Sequence, residues 1–196
     1  MTETTLSTRP VPGEHVPGEP GLWILVLGDL VVFGVLFCSF LAARNSGPAM
    51  FAQSRQELTV VVGVANTLIL LTSSLLVAQL VQRHRGGDRS AGRFALGAII
   101  CGVAFVAVKL FEWTHLLVNG IGPGVNTFFT WYFVLTGLHL LHLLLGLTGL
   151  LVVRRVVVRL EPKSSDRVVV EGVATYWHMV DLLWLVIFPL VYLSAI

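Results

Sequence analysis

Residues 113–153 read WTHLLVNGIGPGVNTFFTWYFVLTGLHLLHLLLGLTGLLVV, without one formally charged side chain. Only NGIGPGV, Asn119 to Val125, interrupts the apolar run, and its three glycines and a proline are the composition of a tight turn. The segment after the turn, Thr127–Val153, exceeds the roughly 20 helical residues, at about 1.5 Å each, that cross a hydrocarbon core about 30 Å thick. Its apolar residues do not alternate, and lipid offers no water to an open sheet edge, so a strand reading fails. The same test selects Leu22–Ala43, Leu58–Gln82, Phe94–Leu117 and Val173–Ala195. The sequence therefore predicts an all-α membrane protein, a bundle of five transmembrane helices.

Composition agrees. Of 196 residues, 55% are hydrophobic and 12% charged, with a mean hydropathy of +0.83; a soluble domain carries about a quarter charged residues, and a disordered chain is poorer still in apolar ones. The formal net charge of +2 gives no reason to expect nucleic acid. Residues 1–21, rich in proline and glutamate, are expected to form a disordered cytoplasmic tail rather than a cleavable signal, which would start basic and run straight into a short apolar stretch. Residues 22–196 are expected to form one transmembrane domain. Arg9, then Arg83, Arg85, Arg89 and Arg93, then Arg154, Arg155, Arg159, Lys163 and Arg167 fall on one side of such a bundle, against Arg44 and Arg55 on the other. The positive-inside rule then puts the N-terminus in the cytoplasm and Ile196 outside, with the arginines serving topology and lipid headgroups. Cys38 and Cys101 stand alone in apolar runs, so no disulfide framework, zinc site or haem-attachment motif is available, and both read as buried small hydrophobes.

An ionisable group at the bilayer centre needs a partner or a role. Asp29, Lys109, Glu112 and Asp181 qualify, with His139, His142 and His178 at comparable depth and His115 near an interface. Lys109 and Glu112 are three apart, as are His139 and His142, and His178 and Asp181, so each pair shares roughly one helix face. Every span but the second thus carries a polar stripe, and the stripes are expected to face one another. The second offers Asn66, Thr67, Thr72, Ser73 and Ser74, which can hydrogen-bond across helix contacts. Three readings of these groups stand side by side: structural polar glue, with the histidines satisfying Asp29, Glu112 and Asp181; a proton relay or antenna; and a metal or haem site, for which the residue types suffice but the spacing is unspecific. No nucleophile lies near a base and no phosphate loop is present. Trp23, Trp113, Trp131, Tyr132 and Tyr192 lie near predicted helix ends and read as interfacial anchors. Trp177 and Trp184, seven apart on the face of Asp181, read as packing against protein. Gly146 with Gly149, and Gly97 with Gly102, read as close helix contacts.

These motifs resemble subunit III of the haem-copper oxidases. FVLTGLHLLHLLLGL matches the family's Gly-x-His-x-x-His on Gly137, His139 and His142, and YWHMVDLLWLVIFPLVYL matches its Tyr-Trp-His-x-Val-Asp-x-x-Trp on Tyr176, Trp177, His178, Val180, Asp181 and Trp184. ANTLILLTSS from Ala65 is similar to the family's Asn-Thr and serine run, and Glu112-Trp113 stands where it has Glu-Tyr. The likeness covers nearly everything after Leu22. Many members have seven helices; the first two, which lean away to form a lipid-holding cleft, are missing here, so a full lipid cleft cannot be carried over. Asp29, in VLGDLVVF, replaces a glutamate by a carboxyl one methylene shorter. VLGDL, KLFEWTHL and HMVDLLWLVIFPLVYL look most like the five-helix branch associated with nitric oxide reductase.

The resemblance implies a partner more than an activity: a non-catalytic membrane subunit without metal of its own, packed against a haem- and copper-bearing subunit I or a nitric oxide reductase catalytic subunit, in a bacterial cytoplasmic membrane. It implies support of proton uptake and durability, with phospholipid as a possible ligand. Five helices with so few histidines also fall short of the axial and copper ligands that such a centre needs. Asp29, Lys109, Glu112, His139, His142, His178 and Asp181 are expected to form a buried polar network, with Asp29 its most proton-active member, and Asn66, Gly137, Gly146, Trp177 and Trp184 to pack helices. The alternatives are a transient assembly or maturation factor for nitric oxide reductase, and a haem-binding or proton-conducting protein acting alone.

Overall fold

The computed structural model describes residues 20–159 and 166–193. Those residues are helical throughout apart from turns: α1 (Pro20–Ser46), α2 (Pro48–Arg55), α3 (Val60–Arg85), α4 (Ala91–Val118), α5 (Thr127–Val157) and α6 (Asp166–Phe188), the last continuing into a π-helical turn, Pro189–Leu193. Five of these helices are long and apolar enough to cross a membrane, as expected. Most of the predicted tail and the last three residues lie outside the described residues, while residues 20 and 21 already belong to α1.

The helix limits have local causes. α1 stops at Gly47-Pro48, because proline cannot donate to the preceding turn but suits the first turn of a new helix. That new helix, the short α2, is not foreshadowed by the sequence; its eight residues PAMFAQSR have too little apolar periodicity to stand out. The predicted turn between α4 and α5 is present, with Gly120 and Gly124 at φ +77° and +97°, where a side chain would clash. Asn126 then caps α5 by accepting a 2.9 Å bond from the Phe129 amide. Several spans run longer than the apolar runs suggest. α6 begins at Asp166 rather than Val173, and α5 continues through Arg154 and Arg155, because polar residues tolerate a helix that has left the hydrocarbon.

α3, α4, α5 and α6 form a ring in which α3 contacts α4 and α6, and α5 contacts α4 and α6; α1 leans on α5 and α6. Only 17% of the α1 span is buried, against 50% of the α6 span, so α1 is peripheral. Cys38 accordingly faces outward, contrary to the expectation of burial, and Cys101 is half-buried. At the centre of the ring lies the fully buried Trp177. A Cβ at Gly146 would fall 2.7 Å from its Cε3, and one at Gly102 3.0 Å from its Cη2, so two glycines from neighbouring helices make room for one indole. Trp184 is equally buried and donates a 3.0 Å bond from Nε1 to Thr67 Oγ1 on α3. Gly137, by contrast, has only an ordinary contact with Trp113.

Candidate functional site

The polar residues expected at one seam are distributed over separate sites. Lys109 with Glu112, and His178 with Asp181, stay together, but His139 and His142, which differ by about 60° in direction and about 4.5 Å in height, enter different helix contacts.

The first site joins α1, α5 and α6. Asp29 Oδ2 lies 3.5 Å from His142 Nε2. His142 Nδ1 is 2.7 Å from the Leu138 carbonyl, which can only accept, so the ring proton sits on Nδ1. Nε2 therefore turns a lone pair toward a carboxylate oxygen, and the contact is favourable only with one proton between them, on Asp29 or on a cationic His142. Phe33 packs edge-on to the imidazole at 5.4 Å, and the Tyr176 hydroxyl donates at 3.3 Å to the His142 carbonyl. Both members border an open, mostly apolar cleft of about 460 Å³, whose walls include Leu22, Leu25, Leu145, Val152 and Val173.

The second site is a buried ion pair. Lys109 Nζ donates to Glu112 Oε2 at 2.7 Å, to the Tyr192 hydroxyl at 2.8 Å and to the Tyr132 hydroxyl at 3.2 Å. Tyr192 donates in turn to the Glu112 carboxylate at 2.8 Å. The ammonium also lies 4.8–5.3 Å from the ring centres of Tyr132, Trp184 and Tyr192, within cation–π range. The sequence reading misses these tyrosines as partners and makes Tyr132 and Tyr192 interfacial anchors; both are fully buried. The π-helical turn presents Tyr192 here, and Arg55 of α2 donates at 3.0 Å to the Tyr192 backbone carbonyl. Glu112 meets this lysine and tyrosine, not a histidine.

The third site lies between α3 and α6. Ser74 Oγ is 2.7 Å from His178 Nδ1, and Asp181 Oδ2 is 4.0 Å from the same nitrogen. Ser73 donates across to the Ala98 carbonyl, whereas Thr72 bonds back to its own helix at Leu68. His139 joins none of these sites. It is fully buried between Phe105 and Trp184, with neither ring nitrogen hydrogen-bonded, and the Asn66 amide is likewise buried without a partner. Among the described residues, no three His, Cys, Asp or Glu side chains converge as metal ligands would.

Comparison with known proteins gives these sites a context. The family model described as cytochrome c oxidase subunit III matches residues 18–196. Subunit 3 of the cytochrome bo(3) ubiquinol oxidase of Buchnera aphidicola subsp. Schizaphis graminum is 26% identical, over 90% of this chain and 93% of that one. Cytochrome c oxidase subunit 3 of a Synechocystis species is 29% identical over 97% and 87%. The heme-copper oxidase subunit I+III of Aeropyrum pernix is 30% identical over 94% of this chain, which corresponds to 23% of that longer protein. With the family model matching nearly its full length and five membrane-length helices as expected, the chain belongs to the cytochrome c oxidase subunit III family.

Proposed function

We propose that this chain is a resident, non-catalytic subunit of a bacterial haem-copper oxidase, packed in the cytoplasmic membrane against a metal-bearing subunit I, with its N-terminal tail on the cytoplasmic side. The observation that carries this reading is the Aeropyrum pernix relative, in which a region similar to almost all of this chain shares one polypeptide named subunit I+III. Haem and copper belong to the partner. Residues 22–196 act as a single transmembrane unit, and the cleft beside α1 takes phospholipid acyl chains.

Within that assembly the Asp29–His142 pair supports proton uptake. Its two facing acceptors, 3.5 Å apart, hold a proton at the wall of a cleft open to the membrane. Purification of the full chain from native membranes in mild detergent tests the subunit reading: a haem-bearing chain is expected at a constant ratio. In the purified complex, Asp29→Asn is expected to slow turnover several-fold at high pH, where protons are scarce, and to leave assembly and low-pH turnover unchanged. Unaltered turnover across the pH range reduces Asp29 to a structural role. A second reading, a maturation factor for nitric oxide reductase that departs after assembly, rests on the likeness of VLGDL and KLFEWTHL to the five-helix branch. Association only with immature reductase supports it.

A further inference from the structure

Most polar side chains in the middle of the spans turn inward or bond back to their own helix. The exposed hydroxyls of Ser39, Thr72, Thr114 and Thr148 all donate to a carbonyl three or four residues earlier. Among the ionisable groups, side-chain exposure is 1% for Lys109, 7% for Glu112, 6% for Asp181, 13% for His142 and 23% for Asp29, but 38% for His178. His178 is therefore the outlier. It lies five residues, about 7.5 Å, inside the apolar run that begins at Val173, opposite Ser74, which is about 12 Å from the Gln82 end of its own run, so both lie within the hydrocarbon on one side of its midplane.

The ring cannot satisfy itself. Nδ1 is held by Ser74 at 2.7 Å, with the buried carboxylate of Asp181 behind it. Nε2 is left on the outer side of the α3–α6 contact with no hydrogen bond from a described residue. Within the hydrocarbon no water completes it. Leucines flank it: Leu71 and Leu75 on α3 and Leu182 on α6 are 43–58% exposed. The outward faces of α1 and α4 carry groups such as Val31 and Phe111, which suit acyl chains. A polar point inside an apolar rim is the pattern of a helix–helix interface in a membrane, in which packing gives area and one hydrogen bond gives register.

We propose that the α3–α6 face centred on His178 is the docking surface for a transmembrane helix of the metal-bearing partner subunit, which presents a hydroxyl or carboxamide side chain to His178 Nε2. Those two groups both donate and accept, and so serve either tautomer of the ring. The inference rests on the subunit reading above, and the Aeropyrum pernix relative, which joins regions named I and III in one polypeptide, favours a subunit I helix as occupant over a second copy of this chain.

The test places a photo-crosslinking benzoylphenylalanine at Leu182, or at Phe111 on the outer face of α4 as control, in the full-length chain in native membranes. Capture of the haem-bearing chain is expected from Leu182 and not from Phe111. His178→Leu is expected to lower the Leu182 yield about three- to tenfold, and His178→Gln, which keeps a hydrogen-bonding group, to restore much of it. Capture of lipid alone or of a second copy at Leu182 overturns the proposal, as does a yield indifferent to His178→Leu. If Phe111 captures the haem-bearing chain and Leu182 does not, the subunit reading stands and this face is wrong. If neither does and no haem-bearing chain co-purifies, the subunit reading falls with it. Should His178→Leu elute as aggregate, the comparison of Leu182 with Phe111 in the otherwise unaltered chain still decides.

Discussion

Replacing Lys109 by Met keeps the volume of the side chain and removes its charge, leaving Glu112 in a site where it is 7% exposed. The carboxylate loses its 2.7 Å bond from Nζ and keeps the Tyr192 hydroxyl; Tyr132 and Tyr192 each lose a donor. Breaking one side of a buried pair costs about 3–5 kcal/mol in soluble proteins. One effect lowers that here: hydrogen bonds within membrane proteins are worth only about 0.6 kcal/mol on average, because the unfolded chain in lipid finds other partners. A loss of about 3 kcal/mol is expected for Lys109→Met and about 2 kcal/mol for Glu112→Gln, since Lys109 then still donates to two tyrosines. The double variant carries no stranded charge and is expected to lose no more than about 3 kcal/mol, a coupling of about 2 kcal/mol. Reversible unfolding of the four proteins in mixed detergent micelles measures each corner of the cycle. Strict additivity, or a Lys109→Met loss below about 1 kcal/mol, would refute the view that these charges depend on each other.

Two more outcomes are expected from the packing and from the α3–α4 turn. Gly146→Ala drives a methyl to 2.7 Å from a Trp177 ring that is fully buried and cannot yield, and is expected to cost about 1–3 kcal/mol in the same assay; Gly28→Ala, with nothing within 4 Å, is expected to be neutral. Equal effects at the two positions contradict the packing account. In the turn, the Ser90 backbone amide and then the Arg83 guanidinium hold the Asp88 carboxyl well below its ordinary range. A depressed native value means that the contribution is complete above the usual carboxylate pKa and is lost as pH falls through the native one. The difference in Tm between the parent chain and Asp88→Ala is therefore expected to be largest near neutrality and to shrink on acidification below about pH 4. A difference that stays constant with pH removes the electrostatic explanation.

The spans are legible because hydrocarbon imposes a single requirement, length without charge, and Thr127–Val153 meets it without help from neighbours. The short α2 is not, since its eight residues form a helix only where Gly47-Pro48 ends one helix and Phe51 finds Phe40 and Phe128. The candidate sites divide in the same way. The Lys109–Glu112 pair can be read from a spacing of three, because both members lie on one helix and the contact is local. Its tyrosines cannot, because Tyr192 lies beyond Pro189, where a straight α-helix no longer predicts direction and the π-helical turn, tied through its carbonyl to Arg55, aims the ring inward. The histidines show the limit most clearly. His139 and His142 share a motif and a helix, yet one is packed among aromatic rings without a hydrogen bond and the other lies 3.5 Å from Asp29 at the edge of a cleft. Their spacing fixes an angle of about 60° between them, but not which neighbour occupies each direction. Spacing alone therefore supplies the chemistry available to a membrane helix, and only the arrangement of the surrounding helices decides which group meets a carboxylate, which meets a hydroxyl and which is sealed inside.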